Sequence, residues 1–193
     1  MSDFIWVEKY RPTTIDECIL PKSIKKTFQD FVDRGEIPNM LLSGPPGIGK
    51  TTVAKALCNQ LGADYYVING SDEGRFLDTV RTNAKNFAST VSLTSESKHK
   101  VIIIDEADNT TSDVQLLLRA SIEEFSKNCR FIFTCNYKNK IIDPLHSRCT
   151  VVDFSINKKD KPTIATQFFS RLTNILEQEK IDTDKKVVAQ LIN

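Results

Sequence analysis

At 193 residues, 40% of them hydrophobic and 26% charged, the chain can hold one ordinary domain, or one domain plus part of a second. A net charge of +1 excludes a global basic field, so any nucleic-acid contact must come from a local patch. Five cysteines, odd in number and without a CxxC pair, exclude a disulfide scaffold or zinc ribbon and point to reduced thiols.

The opening MSDFIWVEKYRP has no apolar signal core, and no stretch approaches the roughly 18 apolar residues of a membrane span. A soluble, cytoplasmic chain is expected. Met40–Ser43 is a short apolar run that reads as a buried strand. Thr51–Leu61 follows as a helix stopped by Gly62. Tyr65–Ile68 is a weaker strand, its two tyrosines read as strand packing. Phe76, Val80, Ala84 and Phe87 then recur at helical spacing, and Ser89–His99 reads as an exposed Ser/Thr loop. Val101–Ile104 is the second clear strand. Val114, Leu117, Leu118, Ile122 and Phe125 form a helix face, with Ser112 or Asp113 as N-cap. Phe131–Cys135 is the third clear strand and Val151–Phe154 a fainter one. A charged linker, Asn157–Pro162, precedes helical patterns at Ile164–Glu179 and Lys185–Ile192. Strands alternating with helices predict an α/β fold with a parallel sheet covered on both faces, over residues 1–154. Residues 155–193 are helical in character.

Gly44-Pro45-Pro46-Gly47-Ile48-Gly49-Lys50-Thr51 matches GxxxxGK[ST] between a strand and a helix, the context that a P-loop requires. Its glycines let backbone N–H groups turn inward around phosphates, at a helix N-terminus that favours anions. Lys50 then reaches the β- and γ-phosphates of ATP, and the Thr51 hydroxyl ligates magnesium. The run Val101-Ile-Ile-Ile-Asp105-Glu106 puts two acids at the C-terminal tip of a buried strand, where ligands bind in open α/β sheets. Asp105 is the expected magnesium partner and Glu106 the base that polarises the attacking water. Asn136 ends another strand; its amide holds that water or the γ-phosphate, or it is simply a turn-forming residue.

These motifs together resemble the clamp-loader group of AAA+ ATPases. Trp6-Val-Glu-Lys-Tyr-Arg-Pro12 is similar to the opening segment near the adenine in replication factor C small subunits. Asp105-Glu-Ala-Asp108 resembles their Walker B box, and Asn136 takes the sensor 1 position. Ser147-Arg148-Cys149 resembles the motif that offers an arginine finger to the neighbouring subunit's ATP. Asp16–Pro21 and Arg171–Thr173 are most similar to the large clamp-loader subunits of T4-type bacteriophages. The resemblance implies a P-loop NTPase three-layer fold followed by the start of a helical lid. It also implies nucleotide contacts from Val7, Tyr10, Arg11, Pro12, Ile19, Leu20 and the loop residues Gly44 to Thr52. Residues 155–193 match only the first part of the lid, with no sensor 2 arginine and no collar. The implied partners are a sliding clamp, primer–template DNA and other loader subunits in a heteropentameric ring.

Arg81 and Lys85 lie one turn apart on the helix that lines the DNA path in this group; the bland alternative is two solvated charges. Gln115 and Arg119, one turn apart on the next helix, are either an inter-subunit hydrogen-bond junction or solvated residues. Three functions follow: an ATPase motor that loads a sliding clamp, a nucleotide-dependent scaffold with little hydrolysis, or another P-loop enzyme such as a kinase or branch-migration motor. Ser147-Arg148-Cys149 and the intact Lys50, Asp105 and Glu106 favour the first.

Overall fold

The computed structural model of the chain describes residues 5–71, 79–90, 100–182 and 185–190. Its centre is a sheet of five parallel strands: β1 (Met40–Ser43), β2 (Tyr65–Asn69), β3 (Lys100–Asp105), β4 (Cys129–Cys135) and β5 (Thr150–Asp153). They lie side by side in the order β2-β3-β4-β1-β5. All five expected strands are present, each within two residues of its anticipated limits.

Side chains alternate across this sheet, and the alternation builds two cores. Met40, Leu42, Val101, Ile103 and Ile132 face one layer, while Leu41, Ile102, Ile104, Phe131 and Phe133 face the other. Each of Ile102, Ile103 and Ile104 is wholly buried, worth about 1.5–3 kcal/mol apiece. The first layer is covered by α2 (Lys22–Arg34) and α3 (Lys50–Gln60), the second by α4 (Lys85–Ser89) and α5 (Ser112–Glu124). The short α1 (Trp6–Lys9) precedes them, and α6 (Asp143–His146) connects β4 to β5. Beyond β5 come α7 (Lys161–Gln178) and α8 (Lys185–Gln190).

Several boundaries differ from the sequence-based expectation. Helix α2 was not anticipated, although its apolar Ile24, Phe28, Phe31 and Val32 recur at i, i+4, i+7 and i+8, the spacing of one helical face; they fill the first core, and Gly35 closes the helix in the left-handed region. The N-cap of α5 is Thr111, not Ser112 or Asp113, because its hydroxyl accepts the Val114 N–H three residues on. Helix α7 starts at Lys161, inside the stretch read as linker, with Pro162 in its first turn. The helix expected from Phe76 to Phe87 is present over its described part, as a π-helix from Thr79 to Ala84 that runs into α4. Phe76 itself, residues 91–99 of the Ser/Thr loop, and Ile192 lie outside the described residues. All five cysteines are free, as anticipated. Burial pushes the thiols of Cys58, Cys129 and Cys149 up to about 12, which leaves them packing groups and not nucleophiles.

Helix α7 has no fully buried residue and is held to the N-terminal strap by polar joints. The Gln167 carboxamide accepts from Leu20 N–H at 3.1 Å and donates to the Leu20 carbonyl at 3.0 Å. Arg171 donates to the Tyr10 carbonyl, and Glu179 accepts from both Lys9 and the Tyr10 hydroxyl at 2.7 Å.

Candidate nucleotide site

The loop between β1 and α3 curls into an open cradle because its backbone takes conformations that only glycine takes freely. Gly49 sits at φ 86° directly before Lys50, so α3 starts with its N–H groups turned toward the loop. Lys50 is almost wholly buried, and its ammonium donates to the carbonyls of Gly44 and Pro45 at 2.8 Å each and to Asn136 Oδ1 at 2.9 Å. Burial holds its pKa below the usual lysine range, against the opposing pull of Cys135, Asp108, Asp105 and Glu106.

The acids arrive on β3, next to β4 and one strand away from β1. Asp105 Oδ1 accepts from the Thr51 hydroxyl at 2.5 Å and from the Thr134 hydroxyl at 2.6 Å. Glu106 has φ 55°, a left-handed conformation that costs a non-glycine residue on the order of 1–2 kcal/mol. Two contacts hold it there. Its N–H donates to Thr134 Oγ1 at 3.0 Å, and its carboxylate is tied to the Ser71 hydroxyl and to Asn109 Nδ2. Gly70 makes the second contact possible: any Cβ there would sit 2.5 Å from the Glu106 carbonyl oxygen.

Lys50, Thr51, Thr52, Asp105, Glu106 and Asn136 thus line one cavity of about 290 Å³, together with Pro46, Gly47 and Gly49. A second cavity, about 610 Å³ and mostly apolar, opens beside it and shares Gly47, Gly49 and Thr52 with the first. Val7, Tyr10, Arg11, Pro12, Ile19 and Leu20 line it, as do Ile48 and, from α7, Ile164, Phe168 and Leu172. A polar cradle joined to an apolar cleft suits a ligand with a charged tail and a flat, apolar head.

Magnesium fits these residues. The Thr51 hydroxyl and Asp105 carboxylate are hard oxygen donors already in contact. Among the described residues no cluster of three His, Cys, Asp or Glu could hold a metal ion.

A family model described as the ATPase family associated with various cellular activities (AAA) matches residues 40–157. The chain belongs to the AAA family. That match runs from the start of β1 past the end of β5, so it contains the whole cradle. Its relatives include a replication factor C small subunit of Methanocella arvoryzae, 42% identical over 99% of this chain and 58% of the relative. The sliding-clamp-loader large subunit of Enterobacteria phage T4 is 45% identical over 99% of this chain and 60% of that protein. This AAA chain therefore spans about 60% of the length of the curated relatives it matches. Among solved structures, the Holliday junction branch migration motor RuvB of Thermotoga maritima superposes with a TM-score of 0.68 at 20% identity, over 95% of this chain and 59% of that one. The RuvB likeness speaks for the fold alone.

Other anticipated residues lie apart from the cradle. Arg148, between α6 and β5, is not among the residues lining the cavity around Lys50. Its guanidinium donates to Glu123 Oε1 through Nε at 2.9 Å and Nη2 at 2.5 Å, and to the Pro144 carbonyl at 3.0 Å. Lys85 is exposed and paired with Glu124 at 3.4 Å; the Arg81 side chain lies outside what the structure describes. Gln115 overturns both the solvated and the inter-subunit reading, since its carboxamide is buried and bonded within the chain. It is 1% exposed, with its amide donating to the Thr110 and Lys140 carbonyls and its oxygen accepting from Ile142 N–H. Thr134, Ser71, Gly70 and Asn109 were missed. Only Thr134 left a trace, as the one hydroxyl in an otherwise apolar run.

Proposed function

We propose that this chain is the ATPase motor subunit of a sliding-clamp loader in DNA replication, opening the clamp and placing it on primer–template DNA. The observation that carries the reading is the convergence of Lys50, Thr51, Asp105, Glu106 and Asn136 on one cavity that joins a larger, mostly apolar cleft. Relatives above 40% identity, a replication factor C small subunit and sliding-clamp-loader large subunits, support the same assignment.

On this reading residues 1–154 are the nucleotide-binding domain and 155–193 the first part of a lid. The base sits in the apolar cleft between the strap and α7, and the phosphates lie on the backbone amides of Gly47 to Thr52. Lys50 exchanges the Gly44 and Pro45 carbonyls and the Asn136 amide for phosphate oxygens. Such an exchange favours nucleotide because a buried ammonium gains an opposite full charge. Magnesium, held by Thr51 and through water by Asp105, would neutralise charge on the phosphates. Glu106 polarises the attacking water once its carboxylate is released from Ser71 and Asn109. Asn136 reports the γ-phosphate, and Arg148 stabilises transferred charge at the neighbouring subunit's ATP. Arg81 and Lys85 follow DNA phosphates, a few contacts per subunit adding up around a heteropentameric ring in the cytoplasm.

Reconstitution with partner subunits tests the assignment. ATP turnover is expected to rise with clamp and primed DNA together above its value with either alone. Identical turnover under all four conditions overturns the clamp-loading role, even if ATP is hydrolysed.

A further inference from the structure

Asp108 belongs to the short turn Ala107–Asn109 that follows β3, and it is 6% exposed. A buried carboxylate is costly unless its oxygens are used. Here Oδ2 accepts two backbone amides, those of Asn136 at 3.1 Å and Tyr137 at 3.0 Å, while Oδ1 has no partner. Both amides lie where β4 ends and the chain turns away. The conformation of that turn sets the direction of the Asn136 side chain, whose Oδ1 accepts from Lys50 at 2.9 Å. The same turn ties back to the β3 tip, because Thr134 of β4 bonds both Asp105 and Glu106 N–H. Two strand tips are thereby clamped together by one threonine hydroxyl and one carboxylate.

We propose that Asp108 is a positioning residue for hydrolysis: by holding the two amides after β4 it aims the Asn136 carboxamide into the phosphate cavity. This rests on the reading of the cavity as an ATP site. Asp108 is not among the residues that line the cavity, so its effect is transmitted through Asn136. A carboxylate is suited to this task because one oxygen can take both amides as charge-assisted bonds. Asparagine supplies the same acceptor oxygen but turns its NH2 toward the place of Oδ1, where no acceptor waits. Asp108→Asn therefore keeps the aim and loses some stability, whereas Asp108→Ala loses both.

The test is a cycle of Asp108→Ala, Asp108→Asn, Asn136→Ala and the Asp108→Ala/Asn136→Ala double variant, in the complex assembled with partner subunits. Nucleotide Kd is read by titration and kcat by turnover. Asp108→Ala is expected to lower kcat at least tenfold, toward the roughly 10² that a 1 Å misplacement costs, with Kd changed less than about threefold. The double variant should be no slower than Asn136→Ala, and Asp108→Asn should regain most of the lost kcat despite a lower melting temperature. If Asp108→Ala does not fold, Asp108→Leu, which also removes the acceptor oxygen but fills the buried space, replaces it in the same cycle with Asn136→Ala, with non-additive kcat losses expected. Additive losses in either cycle, or a wild-type kcat in Asp108→Ala, overturn the proposal. An Asn136→Ala variant with wild-type kcat overturns the role of Asn136 itself, and a wild-type complex that binds no ATP overturns the site; those failures are distinguishable from a failure of Asp108 alone.

Discussion

Arg148→Ala is expected to leave nucleotide binding by the isolated chain nearly intact while hydrolysis in the assembled complex falls by roughly 10³, the lower end for a lost arginine finger. The guanidinium lies outside its own phosphate cavity, so removing it touches no group that holds the nucleotide in cis. In the isolated chain it is parked on Glu123, whose carboxyl is kept below its ordinary range chiefly by the Arg148 hydrogen bonds. Glu123 is exposed and Arg148 half-buried at the surface, so solvent screens the pair and its net contribution is small. Moving Arg148 onto a neighbour's phosphates is therefore inexpensive. Mixing the Arg148 variant with a Lys50 variant sharpens the experiment. Some interfaces then pair an intact cradle with an intact finger, and partial activity should return. No rescue at any mixing ratio means that the arginine acts in cis or only structurally.

Glu106→Gln is expected to slow hydrolysis by about 10² or more, the scale for a lost general base, with ATP binding preserved. Glutamine has nearly the same shape, and its carbonyl oxygen can still accept from Ser71 and Asn109, so the left-handed backbone at residue 106 stays supported. The loss then reports on chemistry and not on folding. Complexes carrying the variant should remain on DNA with ATP bound. Turnover at the wild-type rate means that a different residue activates the water.

Most of the fold was legible because the signals are local. Val101–Ile104 and Phe131–Cys135 are continuous apolar runs that only a strand covered on both faces can bury, and the glycine-rich loop shows its chemistry in eight consecutive residues. Asp105 and Glu106 were legible for the same reason, as acids that close an apolar run. What stayed hidden depends on which segments become neighbours. Thr134 matters because β4 lies beside β3, and Ser71 and Gly70 matter because the end of β2 lies beside Glu106. Gln115 sits off the apolar stripe of α5 and so read as solvated; its carboxamide is instead buried by the loops after β3 and β4, whose carbonyls and amide satisfy it. The apolar cleft beside the cradle needed α7 to fold back over the N-terminal segment. Gln167, Arg171 and Glu179 carry that contact with polar groups that helical periodicity does not distinguish from surface residues.

The proposed function rests on the cavity around Lys50 binding the phosphates of ATP. Calorimetric titration of ATP with magnesium into the wild-type chain and into Lys50→Ala tests it most directly. Saturable binding by the wild type, absent from a variant whose melting transition shows it folded, is the predicted result; equal affinity in the two proteins contradicts the account.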